Sequence, residues 1–267
     1  MLLRTLSALV LAPLVLLLLL RGEVLHLFVV FMVLIVGLLR EWVRLRPAPF
    51  RFHLPLMILG GWLLLTTQYY GNLKLVVALL ALVLAFMLGI GVFRYQAGRA
   101  ESDWISFSLL GLVYCVLPLL LLMEIRVQEH GAWWLCYLTL VIWATDTGAY
   151  LVGKAIGSRK LIPRLSPGKT WEGLLGGLTL GAMAGLATLY GAGIWIGLYE
   201  GIAFSFALAV VSQLGDLAES LMKREADIKD SGQLIPGHGG LMDRLDSLLY
   251  SAPLLAIYLF GMGLGGH

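Results

Sequence analysis

Between two apolar runs, residues 220 to 246 read SLMKREADIKDSGQLIPGHGGLMDRLD, a density of charge that an oily chain carries only to meet a ligand. Lys223, Arg224, Lys229 and Arg244 offer positive charge to phosphate, and Gly232, Gly237, Gly239 and Gly240 let backbone N–H groups approach an anion closely. Just upstream, Ser212, Gln213, Asp216, Glu219, Ser220 and Lys223 recur at three- and four-residue steps, forming one polar stripe on a helix whose other faces are apolar. Downstream, Asp243, Asp246, Ser247 and Tyr250 repeat that spacing. Carboxylates on two helix ends can converge on a hard cation such as Mg²⁺, leaving its other positions to water and phosphate. The spacing points to Asp216 and Asp243 as the metal pair. Asp246 is either a further ligand or a partner that holds Arg244 or Lys223. His238 either donates to a phosphate oxygen or caps the helix that follows. Such a set suits phosphoryl or nucleotidyl transfer.

A second patch, residues 146 to 173, reads DTGAYLVGKAIGSRKLIPRLSPGKTWEG. Asp146 and Tyr150 stand one helical turn apart near the end of an apolar run, where an ionisable group needs a reason. Ser166 can cap a helix that starts at Pro167, which would aim N–H groups, Lys169 and Thr170 at an anion. Gly168-Lys169-Thr170 is not a P-loop, because the first glycine of that motif would fall at Pro163. Glu172 either supports the site or is an ordinary first-turn helix acid.

These patches must be positioned by membrane helices. Of 267 residues, 60% are hydrophobic and 13% charged, and the mean hydropathy is +0.90, outside the range of soluble domains. Apolar runs near 5–20, 24–39, 54–67, 73–93, 104–123, 132–153, 173–198, 201–222 and 247–265 predict an all-α polytopic protein of about nine spans. Arg21-Gly22-Glu23 follows the first run without a small-residue cleavage pattern, so that run is read as a helix rather than a signal peptide. Nine spans put sixteen of the 19 Lys and Arg residues on the N-terminal side and Arg21, Lys74 and Arg126 on the other. That bias predicts a cytoplasmic N-terminus and cytoplasmic active-site loops, with the C-terminus outside. The chain reads as a single integral membrane domain, with 1–140 mainly scaffold and 141–250 catalytic. Cys115 and Cys136 read as packing residues.

Ser220, Lys223, Arg224, Lys229, Asp230, Gly232, Pro236, His238, Gly239, Gly240, Asp243, Arg244 and Asp246 fall at the spacing of a known signature. The run resembles that of the bacterial phosphatidate cytidylyltransferases, the CDP-diacylglycerol synthases. The upstream block is similar, with Asp146, Ala149-Tyr150, Ser166-Pro167, Lys169-Thr170 and Glu172-Gly173 in place. The resemblance implies that CTP and phosphatidic acid give CDP-diacylglycerol and pyrophosphate with Mg²⁺, in the cytoplasmic membrane of a bacterium. It further implies a monovalent cation such as K⁺ and a homodimer in the lipid bilayer, with no nucleic acid as partner. Asp216 and Asp243 would then hold Mg²⁺, Asp246 would support it, and Lys223 and Arg244 would stabilise charge on the transferring phosphate. Lys169 would bind either CTP phosphates or the phosphatidate headgroup.

Neither rival lipid-enzyme pattern is present, since the chain lacks both a DGxxAR core and an adjacent Asp-Asp pair. A transporter of a cation or phosphorylated solute is the alternative from another class. It would line both sides of the midplane with polar groups, whereas these cluster at one end. The expected orientation has a direct test: a thiol placed in the loop after Leu198 should react only with reagent applied outside, and cytoplasmic labelling would refute nine spans.

Overall fold

Runs of Leu, Val and Ala leave backbone N–H and C=O groups with no partner in hydrocarbon, so they pair within helices. The computed structural model describes residues 2–46, 53–95, 101–232 and 239–261. In chain order these form α1 (Leu2–Arg21), α2 (Val24–Trp42), α3 (Leu54–Tyr69), α4 (Leu73–Arg94), α5 (Glu101–Gly111), α6 (Leu117–Val127) and α7 (Gly131–Ile156). A short hairpin follows, β1 (Lys160–Ile162) with β2 (Ser166–Thr170), and then α8 (Trp171–Gly191), α9 (Leu198–Glu225) and α10 (Met242–Gly261). Six helical segments among the described residues are long and apolar enough to cross a bilayer: Val24–Leu45, Lys74–Arg94, Glu101–Val127, Gly131–Ile156, Trp171–Gly191 and Leu198–Glu225. Leu54–Tyr69 is a shorter apolar helix, and the stretch Leu11–Arg21 of α1 is apolar as well. The protein is all-α and polytopic, as its composition predicts.

Two boundaries differ from the sequence reading. The connection between α8 and α9 lies at 192–197, so Leu198 already belongs to α9. The expected run 104–123 is α5 and α6 joined through one widened π turn, Leu112–Val116. Pro118 explains the widening, because it has no N–H to give the carbonyl of Tyr114.

The apolar residues divide between a core and an outer face. Leu27, Ile35, Leu38, Leu39, Met57, Leu65, Cys115, Leu119 and Tyr137 are fully buried where α2, α3, α6 and α7 meet. Both cysteines are free and buried, in keeping with packing. Val77, Leu82, Phe86, Val92 and Phe93 stand out from α4 instead, a surface for lipid chains rather than water.

Small residues set how closely the C-terminal helices approach. Along α8, Gly173, Gly177, Gly181 and Gly185 recur every four residues and so line one face. A β-carbon at Gly177 would stand 2.6 Å from the carbonyl oxygen of Thr145, and one at Gly173 would stand 2.7 Å from that of Ala149. α7 and α8 therefore touch backbone to backbone. Gly215 does the same between α9 and α10, where a β-carbon would lie 2.7 Å from Cβ of Tyr250 and 3.1 Å from the carbonyl oxygen of Asp246. The Ser247 hydroxyl then donates to the carbonyl of Ser212 at 3.0 Å, tying the two helices together. Gly177→Val should lower the unfolding midpoint in detergent by the equivalent of about 1–3 kcal/mol. Gly168→Ala should leave it unchanged, since nothing lies within 4 Å of that position; a thermal melt by tryptophan fluorescence compares the two.

Candidate active site and metal centre

The polar stripe of α9 runs along a helix packed against α7, α8 and α10. Its first members join α7 to the hairpin. The Gln213 side-chain amide donates to Oδ1 of Asp146 at 2.9 Å, and its carbonyl accepts from Lys169 Nζ at 3.1 Å. The same ammonium lies 2.9 Å from Oδ2 of Asp216. Asp146, Gln213, Lys169 and Asp216 thus form one bonded chain across three elements.

A turn further along, Lys223 holds two carboxylates. Its Nζ donates to Oε2 of Glu219 at 2.9 Å and to Oδ1 of Asp243 at 2.6 Å. The second oxygen of Asp243 accepts the backbone N–H of Gly240 at 2.8 Å and that of Ser231 at 3.1 Å. Asp243 is therefore fully engaged in folding the start of α10 and fixing Lys223. Gly239 has φ 80°, and a β-carbon there would stand 2.8 Å from the Asp243 carboxylate, so both the backbone angle and the space call for glycine.

One oxygen from each of Asp216, Glu219 and Asp246 lies within 4.8 Å of the others. Glu219 and Asp246 are almost wholly buried, and Glu219 Oε1 has no hydrogen-bond partner among the described residues. A carboxylate oxygen withdrawn from water and left unbonded is costly, whereas three hard oxygens at this separation suit a divalent cation. The residues present fit such an ion. The grouping differs from the sequence expectation in one member: Asp216 and Asp246 are in it, Glu219 joins them, and Asp243 turns instead to Lys223 and the loop.

The hairpin corrects another expectation. Ser166 does not cap a helix at Pro167, because residues 166–170 are extended and pair antiparallel with β1, with Lys160 opposite Thr170 and Ile162 opposite Ser166. α8 starts later, at Trp171, and its cap is Thr170, whose hydroxyl accepts the N–H of Gly173 at 3.1 Å. Thr170 is buried in that role. Lys169 consequently reaches α9 from a strand. Glu172 accepts from the Ser158 hydroxyl at 2.8 Å and from the N–H groups of Ser158 and Arg159 at 3.1 Å and 3.2 Å, so it anchors the start of the hairpin.

The remaining candidates lie around this centre. Ser220 sits on α9 one turn beyond Asp216 and one before Arg224. Arg224 reaches back to the carbonyl of Leu165 at 3.5 Å, linking α9 to the hairpin. Arg244 is exposed on the first turn of α10, and Lys229 and Asp230 are exposed between α9 and α10. Tyr150 is also exposed, with Lys154 Nζ 5.7 Å from its ring centre. His238, with Pro236 and Gly237, lies outside the described residues.

Sequence reasoning missed Glu41, at the end of α2. It is completely buried and accepts from the Ser231 hydroxyl at 3.0 Å, the Leu241 N–H at 2.9 Å and the Met242 N–H at 2.7 Å. Its sequence setting, an acid between Arg40 and Trp42 just past the end of an apolar run, gave no distinctive signal.

The profile of the Cytidylyltransferase family matches residues 2–262. The chain belongs to the cytidylyltransferase family. Within the family, the phosphatidate cytidylyltransferase of Bacillus subtilis (strain 168) is 36% identical over 228 residues, which span 84% of this chain and 77% of that protein. The phosphatidate cytidylyltransferase of Staphylococcus aureus (strain COL) is 41% identical over 154 residues, 58% of each chain. That of Haemophilus influenzae (strain Rd) is 45% identical over 135 residues, 49% of this chain and 47% of the other. If Glu219 supplies a cation ligand, Glu219→Gln should weaken Mn²⁺ binding, read by electron paramagnetic resonance, at least about tenfold; unchanged affinity would remove it from the metal group.

Proposed function

We propose that the chain transfers the cytidylyl group of CTP to phosphatidic acid, giving CDP-diacylglycerol and pyrophosphate at a membrane surface. The observation that carries this reading is the junction of Asp216, Glu219 and Asp246 with Lys169 and Lys223 in a member of this family. Phosphatidate is a phosphate monoester whose second pKa lies near ~6, so it is already a nucleophile at neutral pH and needs no general base. Its oxygen forms a bond to the α-phosphorus of CTP while the bond to the β-phosphate oxygen breaks, and the electron pair leaves with pyrophosphate.

What this requires of the protein is alignment and positive charge. Lys223, fixed between Glu219 and Asp243, has an ammonium aimed at one spot. Lys169, anchored on Asp216 and Gln213, brings a second from the hairpin. Arg244, on the exposed face of the first turn of α10, would offer a guanidinium to the leaving pyrophosphate. Asp216, Glu219 and Asp246 would hold Mg²⁺, which when bound neutralises triphosphate charge; a monovalent cation such as K⁺ beside it is part of the proposal.

The exposed apolar faces would let the lipid tails stay in the bilayer while the headgroup meets CTP, which supports a membrane-embedded reaction. We extend the proposal to nine crossings in the cytoplasmic membrane, with the N-terminus and site facing the cytoplasm, on the charge bias of sixteen of 19 basic residues. A homodimer belongs to the same proposal. No observation among the described residues favours transport. Purified protein with phosphatidic acid micelles, labelled CTP and Mg²⁺ should yield CDP-diacylglycerol, and Asp243→Ala, which leaves Lys223 held by Glu219 alone and removes the acceptor of the Gly240 and Ser231 N–H groups, should abolish it. Absence of product from the wild type, or full activity of the variant, would overturn the reading.

A further inference from the structure

Glu41 is remote in sequence from every other residue of the site, yet each donor it accepts comes from the segment that leads into α10. The N–H groups of Leu241 and Met242 belong to the turn that opens a helix, where no intrahelical acceptor exists. A full negative charge there also favours the positive end of the helix dipole. Ser231 joins the two acids of this region, giving its hydroxyl to Glu41 and its N–H to Asp243. The backbone is shaped to admit the carboxylate. A β-carbon at Gly240 would stand 2.6 Å from Oε2 of Glu41, and one at Gly232 would stand 2.8 Å from its Cδ.

The other end of this linkage is rigid. Trp42 next to Glu41 stacks on Phe107 with ring centres 5.0 Å apart and donates its indole N–H to the carbonyl of Phe107 at 3.0 Å. α2 is thereby fixed against α5, and Glu41 carries that fixity to the first turn of α10. On that turn Asp243 holds Lys223, and Asp246, one turn on, faces Asp216 and Glu219.

We infer that Glu41 is a positioning residue for the reaction: it sets the start of α10 so that Asp246 completes the carboxylate group and Asp243 presents Lys223. The catalytic region therefore includes a residue from the N-terminal half of the chain. This inference rests on the proposed reaction for one of its two readouts only.

The test compares wild type, Glu41→Gln and Ser231→Ala in detergent. Glutamine keeps the shape but places an NH₂ against a backbone N–H or the Ser231 hydroxyl. Positioning predicts that kcat for CDP-diacylglycerol falls about 10–100-fold in Glu41→Gln with KM for both substrates within about threefold, and that Mn²⁺ binding by electron paramagnetic resonance weakens by a similar factor. Ser231→Ala should show a smaller loss, and the double variant should be little worse than Glu41→Gln alone. Wild-type kcat and Mn²⁺ affinity in Glu41→Gln would overturn the inference, as would losses in the two single variants that multiply. So would lost activity with a lowered unfolding midpoint and unchanged Mn²⁺ affinity, which is the mark of a merely structural role. If Glu41→Gln does not yield folded protein, Ser231→Ala decides by the same two readouts. A wild type that binds Mn²⁺ but forms no product would refute the proposed reaction, while the Mn²⁺ comparison still decides the role of Glu41.

Discussion

A carboxylate placed inside an apolar bundle must be given its donors by the protein, because water is not there to supply them. That demand is full for the buried Glu41, and the more accessible Asp146, Asp216 and Asp243 are held by protein donors as well. Asp146 takes a donor from Gln213, Asp216 from Lys169, Asp243 from Lys223 and two backbone N–H groups, and Glu41 from three groups of a distant segment. Each bond also ties one element to another: α7 to α9, the hairpin to α9, α9 to α10, and α10 to α2. Charge satisfaction and tertiary assembly are here the same set of contacts. Glu219 is the exception, since one of its oxygens has no hydrogen-bond partner among the described residues and lies beside two other carboxylates.

Such pairing works only if the helices come close enough for short side chains to reach. Glycines provide that closeness twice, along α8 against α7 and at Gly215 between α9 and α10. Gly215 directly precedes Asp216, and its neighbour across the contact is the backbone of Asp246. The tightest point between the two helices therefore lies next to the carboxylates that have to meet. A larger residue there would move apart two carboxylates that no flexible stem could bring back, because aspartate has the shortest acidic side chain.

Local period made the stripe of α9 readable, since Gln213, Asp216, Glu219 and Lys223 could share a face only on a helix, and the stripe is where the bonds form. It could not say which acid across the gap would meet Asp216, because Asp243 and Asp246 differ by less than one turn and their separation depends on how α10 is rotated. The rotation comes from Gly240, Ser231 and Glu41, two of which bind through backbone or across nearly the whole chain. The hairpin was hidden for a different reason. Ser166-Pro167 has the chemistry of a helix start, and Thr170 three residues before Gly173 has it too; pairing with Lys160–Ile162 decides between them. The freedom of glycine suggested backbone contacts to phosphate at Gly239 and Gly240, whereas Gly240 gives its N–H to Asp243 and Gly239 makes room for that carboxylate. Glu41 left no pattern because a lone acid at a helix end near Arg40 and Arg44 looks like an ordinary headgroup contact.

The bond between Glu41 and Met242 spans 201 residues, which has a meaning for how the protein is made. Synthesis proceeds at roughly 5–20 residues per second, so α2 exists for about 10–40 s before its partner has been translated. During that interval its acid has none of the donors that later surround it. Its place at the very end of α2, beside Arg40, allows headgroups and interfacial water to solvate it in the meantime. The segment that leads into α10 is therefore the one that encloses this charge, and the site closes only after the first turn of α10 has been made.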